Sequence, residues 1–165
     1  MRRFPLVAAC SGILLTGTLL AQQHPTGTAG AMEPKSMMIA PSEAKWSPGP
    51  PSLPAGAEIT VLEGDPSQPG PFTFHIKFPD GYKVMPHWHP TDERQTVVKG
   101  TVMMGMGEKW NDGEMKALPP GGFVLLPAKH SHYVVTRGEV IMQVQAEGPF
   151  DITYINPSDD PRKKN

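Results

Sequence analysis

The chain has 165 residues and a net charge of −1, from 15 basic and 16 acidic residues. That length suits one domain, and the charge balance excludes a nucleic-acid binder held by a phosphate-neutralising surface. With 38% hydrophobic and 19% charged residues the chain can bury a core, which excludes wholesale disorder.

Twenty prolines and 17 glycines argue against helices. After residue 21 the longest stretch free of both is Ala128 to Arg137, ten residues. A three-turn helix needs more room, whereas strands of five residues fit throughout. An all-β protein is predicted.

Residues 1–21 read as a signal peptide. Arg2 and Arg3 precede an uncharged run from Phe4 to Leu20, and Ala21 offers a small residue for cleavage. The run is short for a membrane span and contains Pro5, Gly12 and Gly17, so no stable span is expected after cleavage. The expectation is an exported protein, periplasmic or secreted, by the general or the twin-arginine route. The only cysteine, Cys10, lies in this segment. Cleavage would leave a chain of net charge −3 with no disulfide, thiolate nucleophile or thiolate metal ligand.

Residues 22–57 contain seven prolines and read as an extended arm, partly disordered, with Met37-Met38-Ile39 and Trp46 available to pack on the domain. Pro48-Gly49-Pro50-Pro51 excludes helix or central strand there. Residues 58–155 carry the strands. Glu58 to Leu62 comes first, then Phe72 to Phe78, whose alternation puts four apolar side chains on one face. Thr96 to Lys99 and Thr101 to Met104 flank Gly100 as two strands of a meander. Phe123 to Leu126 reads as a short buried strand, followed by His132 to Thr136, Val140 to Gln145 and Asp151 to Ile155. Many short strands at close spacing predict a sandwich or barrel. Residues 156–165 form a polar tail, expected to fray, that ends in the basic Arg162-Lys163-Lys164.

Four of the six histidines form the pairs His87/His89 and His130/His132. On a strand, residues two apart share a face, so each pair can aim two imidazoles at one point. Glu93 keeps the parity of His89, although Pro90 lies between them and can interrupt it. Two nitrogens, a carboxylate and one further histidine from the later segment make a donor set suited to one divalent transition metal ion: Mn, Fe, Ni, Cu or Zn. Gln95 and Val97 share the parity of the first pair, and Val134 and Thr136 that of His132. These four are the candidate substrate pocket, with Gln95 able to hold a polar group. Trp88 and Arg94 have the opposite parity and face outward. His75 opposes the phenylalanine face and reads as solvated. Met85, Met103, Met104 and Met106 read as adaptable barrel filling in preference to copper ligands.

The spacing Gly81-x5-His87-x-His89-x3-Glu93-x6-Gly100 resembles the first motif of the cupins at every specified position. Gly121-x5-Pro127 with His132 five residues on resembles the second, with Lys129 where the family has glycine and Thr136 where it often has asparagine. Lysine is costly at a positive-φ turn that glycine occupies freely, so His130 stands as the rival to His132. Lys83 to Thr101 and Gly148-Pro149-Phe150 look like a group of small exported single cupins.

The resemblance implies a small antiparallel jelly-roll barrel, preceded by the signal peptide and arm, with a metal held by His87, His89, Glu93 and His132. It implies pairing through the sheets, hence a homodimer. It leaves the reaction open, because the family hosts many chemistries. One expectation is an oxidoreductase, lyase or isomerase acting on a small oxygen-bearing molecule, with Glu93 as the catalytic base. The alternative is a non-catalytic ligand-binding or sensing module with a structural or anchoring metal.

Overall fold

The computed structural model describes residues 36–163, with the compact unit starting at Met38. The signal peptide, Cys10 and the first part of the arm lie outside the described residues. Among the described residues nine antiparallel strands make one curled sheet: β1 (Ser47–Pro48), β2 (Glu58–Glu63), β3 (Gly70–Phe78), β4 (Lys83–Trp88), β5 (Glu93–Met106), β6 (Lys116–Leu118), β7 (Phe123–Leu126), β8 (His132–Gly148) and β9 (Thr153–Tyr154). The path runs β1-β2-β3-β8-β4-β9, and β5 pairs with β6, β7 and β8. Among the described residues the helical turns are short 3-10 pieces of three residues, and no helix there is long and apolar enough to cross a membrane.

Alternation along β3 works as expected. Phe72, Phe74, Ile76 and Phe78 are all buried, with Phe72 and Phe74 stacked at 5.4 Å. Val144, Met142 and Val140 lie beside Phe74, Ile76 and Phe78 on the paired strand β8, and Val97 and Val102 of β5 join the same core. Met104 is buried in the same core, while Met106 is exposed.

Three strand expectations need correction. The two strands flanking Gly100 are one 14-residue strand, and the two flanking Gly138 are one of 17 residues. Both glycines have positive φ, +77° and +73°. They lie beside the Thr101–Arg137 pair, where β5 and β8 shift register and turn the barrel corner together. A glycine inside a strand pattern therefore marks a bend here, not a turn. β7 is only partly buried: Phe123 and Leu125 are exposed, Leu126 enters the core and Val124 packs against it.

Gly100 also closes the first motif for a steric reason. A Cβ there would overlap the Glu139 carbonyl and meet Val140 Cγ2 at 2.9 Å. Combined with the left-handed backbone, Gly100→Ala is expected to cost roughly 2–4 kcal/mol. Urea denaturation checks it, and a loss below about 0.5 kcal/mol would contradict the clash.

From Met38 onward the arm divides. Met38 and Ile39 are exposed, whereas Trp46 packs under Lys77, whose Nζ lies 4.7 Å from the ring centre. Ser47 and Pro48 extend the sheet edge against Glu58 and Ile59, the position a strand proline tolerates. Leu53 and Ala57 enter the core. Tyr154 donates its hydroxyl to Ser52 O at 2.8 Å, and Tyr82 donates to Pro54 O. Burial pushes the Tyr154 hydroxyl up to about 12. The tail expected to fray is pinned as far as Lys163, with Asp160 buried and Arg162 held by several hydrogen bonds.

Candidate metal centre

His87 lies on β4 directly opposite His132 on β8. Opposed residues on paired strands share a face, and the two rings sit 4.2 Å apart between centroids. His89 lies one residue past the end of β4 and places its ring 5.1 Å from His87 and 5.4 Å from His132. One ring nitrogen from each of the three lies within 4.8 Å of the others, and all three residues are buried. His130, the rival ligand, is exposed on the preceding loop.

Glu93 reaches the group by a different route from the parity argument. The chain leaves β4, turns through Pro90 to Asp92, and re-enters as the first residue of β5, opposite Ala146 and Leu126. Glu93 Oε2 then lies 3.4 Å from His89 Nε2 and 3.8 Å from His132 Nε2. The turn is anchored where Asp92 accepts from Ala128 N at 2.9 Å and Lys129 N donates to the His89 carbonyl at 2.8 Å.

Lys129 is the one described non-glycine residue with positive φ, +62°. It occupies the position at which the second motif departs from the cupin pattern. The fold keeps the turn and accepts the strain, so His132 still arrives at the site. Lys129→Gly is expected to stabilise the protein by roughly 1 kcal/mol without disturbing the histidines, measurable as a rise in melting temperature. Unchanged or lowered stability would mean that the lysine side chain offsets the backbone strain.

The histidine tautomers follow from their partners. Each Nδ1 faces a backbone carbonyl: Met85 O at 2.7 Å for His87, Asp151 O at 2.8 Å for His89 and His130 O at 3.2 Å for His132. A carbonyl only accepts, so each Nδ1 carries the hydrogen and each neutral ring keeps its lone pair on Nε2. Burial holds His87 well below the ordinary histidine range, assisted by the neighbouring His132 and His89. Burial also pushes His132 down to about 4, outweighing the opposing pull of the Glu93 carboxylate. Both rings are therefore neutral at pH 7.

His132 Nε2 and Glu93 Oε2 are buried without a hydrogen-bond partner. Orphaned buried polar atoms cost about 1–3 kcal/mol each. A cation between them would satisfy both, and the donor set fits a metal ion. His87, His89 and His132 can hold one, with Glu93 beside them.

The chamber enclosed by these residues has a volume of about 50 Å³, room for an ion and a few ligand atoms. Gln95 and Val134 line it. The Gln95 Oε1 is buried and unpartnered. Val97 and Thr136 are buried but do not line the chamber. Shared parity puts residues on one face, yet four residues along a strand carry them about 13 Å down the barrel. The Thr136 hydroxyl is used there, donating to Pro79 O at 2.6 Å and accepting from Tyr82 N at 2.9 Å.

Sequence reasoning missed the outer wall. Phe150 stacks on His89 at 4.4 Å, 11° from parallel. With Phe74, Ile76 and Ile152 it separates the chamber from an outer recess of about 420 Å³, bounded on its far side by the prolines of the arm. The Gly-Pro-Phe run was the available signal for Phe150. The carbonyls that orient the imidazoles carry no side-chain signal at all.

Residues 34–151, well over half of the chain, match the family described as the ChrR cupin-like domain. The chain belongs to this cupin family. The fold is similar to the polyketide cyclase RemF from Streptomyces resistomycificus, at 16% identity and a TM-score of 0.60, covering 77% of this chain and 90% of that one. It is also similar to KdgF from Halomonas sp., at 20% identity and 0.53, covering 69% and 96%. A third similar structure is the DMSP lyase DddQ from Ruegeria pomeroyi, at 18% and 0.54, covering 68% and 61%. A search of curated proteins found no match.

Proposed function

We propose that this chain is an exported, metal-dependent cupin enzyme acting on a small oxygen-bearing molecule. The observation that carries the reading is the convergence of three buried imidazoles, each with Nδ1 committed to a carbonyl, with the orphaned Glu93 oxygen beside two of them. His87, His89 and His132, with Glu93, would hold one divalent transition metal ion. Bound there, such an ion supplies Lewis-acid or redox chemistry to a coordinated oxygen.

The chain's own residues divide the remaining work. Among the described residues Glu93 is the only carboxylate lining the chamber, and on swinging away from the ion its carboxylate would accept a proton taken from the substrate. Gln95 offers an unsatisfied carboxamide to a substrate polar group. A chamber of about 50 Å³ admits only the oxygenated head of an organic molecule, so its body would lie in the recess beyond Phe150. Two similar structures are named as a cyclase and a lyase, which is consistent with an enzyme.

A second reading is a binding or sensing module. Apart from Glu93 and the three histidines, no titratable side chain among the described residues lines the chamber, so they supply no separate acid–base pair there. Turnover by the metal-loaded protein across a panel of small hydroxy and carbonyl compounds decides between them. Glu93→Gln is expected to lower turnover at least about 100-fold when assayed at saturating metal. Tight binding of a panel member without chemical change would favour the module instead.

A further inference from the structure

We infer that Arg162, in the C-terminal tail, is a positioning residue for His89. The three imidazoles are not oriented in the same way. His87 and His132 each bond a carbonyl two residues back on their own chain segment, and both sit within paired strands. His89 lies beyond the end of β4, and its Nδ1 reaches Asp151 O, 62 residues away in sequence. The face of its ring is covered by Phe150. Its orientation therefore depends on residues 150–152, which carry no strand pairing of their own.

Arg162 holds that segment in place. Nη1 donates to both Asp151 carboxylate oxygens at 3.0 and 3.2 Å, and Nη2 donates to Ile152 O at 2.9 Å. On its other edge Nε donates to Asp160 Oδ1 at 2.9 Å and Nη2 to Asp160 Oδ2 at 3.0 Å. All three guanidinium nitrogens donate, in five contacts. Asp160 is 7% exposed, so the clamp is seated on the barrel and not merely draped over it. The path runs from Asp160 through Arg162 to Asp151, whose carbonyl orients His89. Lysine cannot reproduce a planar fork, so the demand is for arginine itself.

The inference rests on the proposed metal site for its consequence but not for its geometry, and two readouts separate them. In the metal-free protein at pH 7.5, ring nitrogen NMR is expected to show His89 as a single Nδ1–H tautomer. Arg162→Ala and the gentler Arg162→Lys should both shift it to a mixture of tautomers while His87 and His132 stay unchanged. In Co(II) titrations the same variants should bind about 10–100-fold more weakly with an altered visible spectrum. In a His89→Ala background, Arg162→Lys should then have no further effect, because the coupling partner is gone. A lowered melting temperature with the His89 tautomer unchanged would overturn the inference and leave Arg162 a tail anchor. If the wild type bound no Co(II) while the tautomer shift was seen, the positioning role would stand and the metal reading would fall.

Discussion

His132→Ala is expected to abolish stoichiometric metal binding, whereas His130→Ala leaves it intact. The two residues are two positions apart, yet His132 is completely buried with its Nε2 unpartnered, and His130 is exposed. His130 contributes a backbone carbonyl to His132 Nδ1, which alanine retains. Loss of groups that merely orient a ligand weakens metal affinity 10–100-fold, so loss of a ligand itself should exceed about 100-fold. Elemental analysis of protein recovered from its own compartment, beside both variants, measures this directly. One redox-active or manganese ion per chain, lost with His132, would direct assays to oxygen-dependent and lyase chemistry. Stoichiometric zinc would favour hydrolytic, isomerase or structural roles. Metal retained by His132→Ala and lost by His130→Ala would reverse the assignment.

The metal-free protein is expected to lose stability steeply as pH falls from 6.5 towards 4. His87 and His132 are held neutral by burial, below the ordinary value of 6.5. Above 6.5 neither state takes up a proton and stability is at its full value. Below 6.5 the unfolded chain protonates these histidines and the folded protein does not, so each pH unit removes about 1.4 kcal/mol per histidine. His132 alone withdraws roughly 3 kcal/mol by pH 4, and His87 adds to this with the same sign. Against a typical total of 5–15 kcal/mol, this threatens the fold. Urea denaturation at pH 7.5, 6.5, 5.5 and 5.0 with chelator present gives the profile. A flat curve over that range would mean the imidazoles take up protons in the fold as readily as in the unfolded chain. Metal that binds only the folded state should raise the whole curve by mass action.

Composition and spacing carried much of this molecule. The density of proline and glycine left no room for helices, and the β3 alternation placed its four core residues correctly. The paired His-x-His spacing, Glu93 and the motif glycines named the site, because local periodicity determines which side chains share a face. Periodicity is silent on distance along the barrel and on the partners that lie across it. The fold separated His132 from His130, turned the apparent ends at Gly100 and Gly138 into corners of continuous strands, and brought Glu93 to the histidines by a turn instead of by parity. It moved Val97 and Thr136 out of the chamber and recruited Phe150, the Asp151 carbonyl and the tail arginine. The Asp151 contact joins residues 62 apart through a main-chain atom, and such a contact is created by chain closure and written in no side chain.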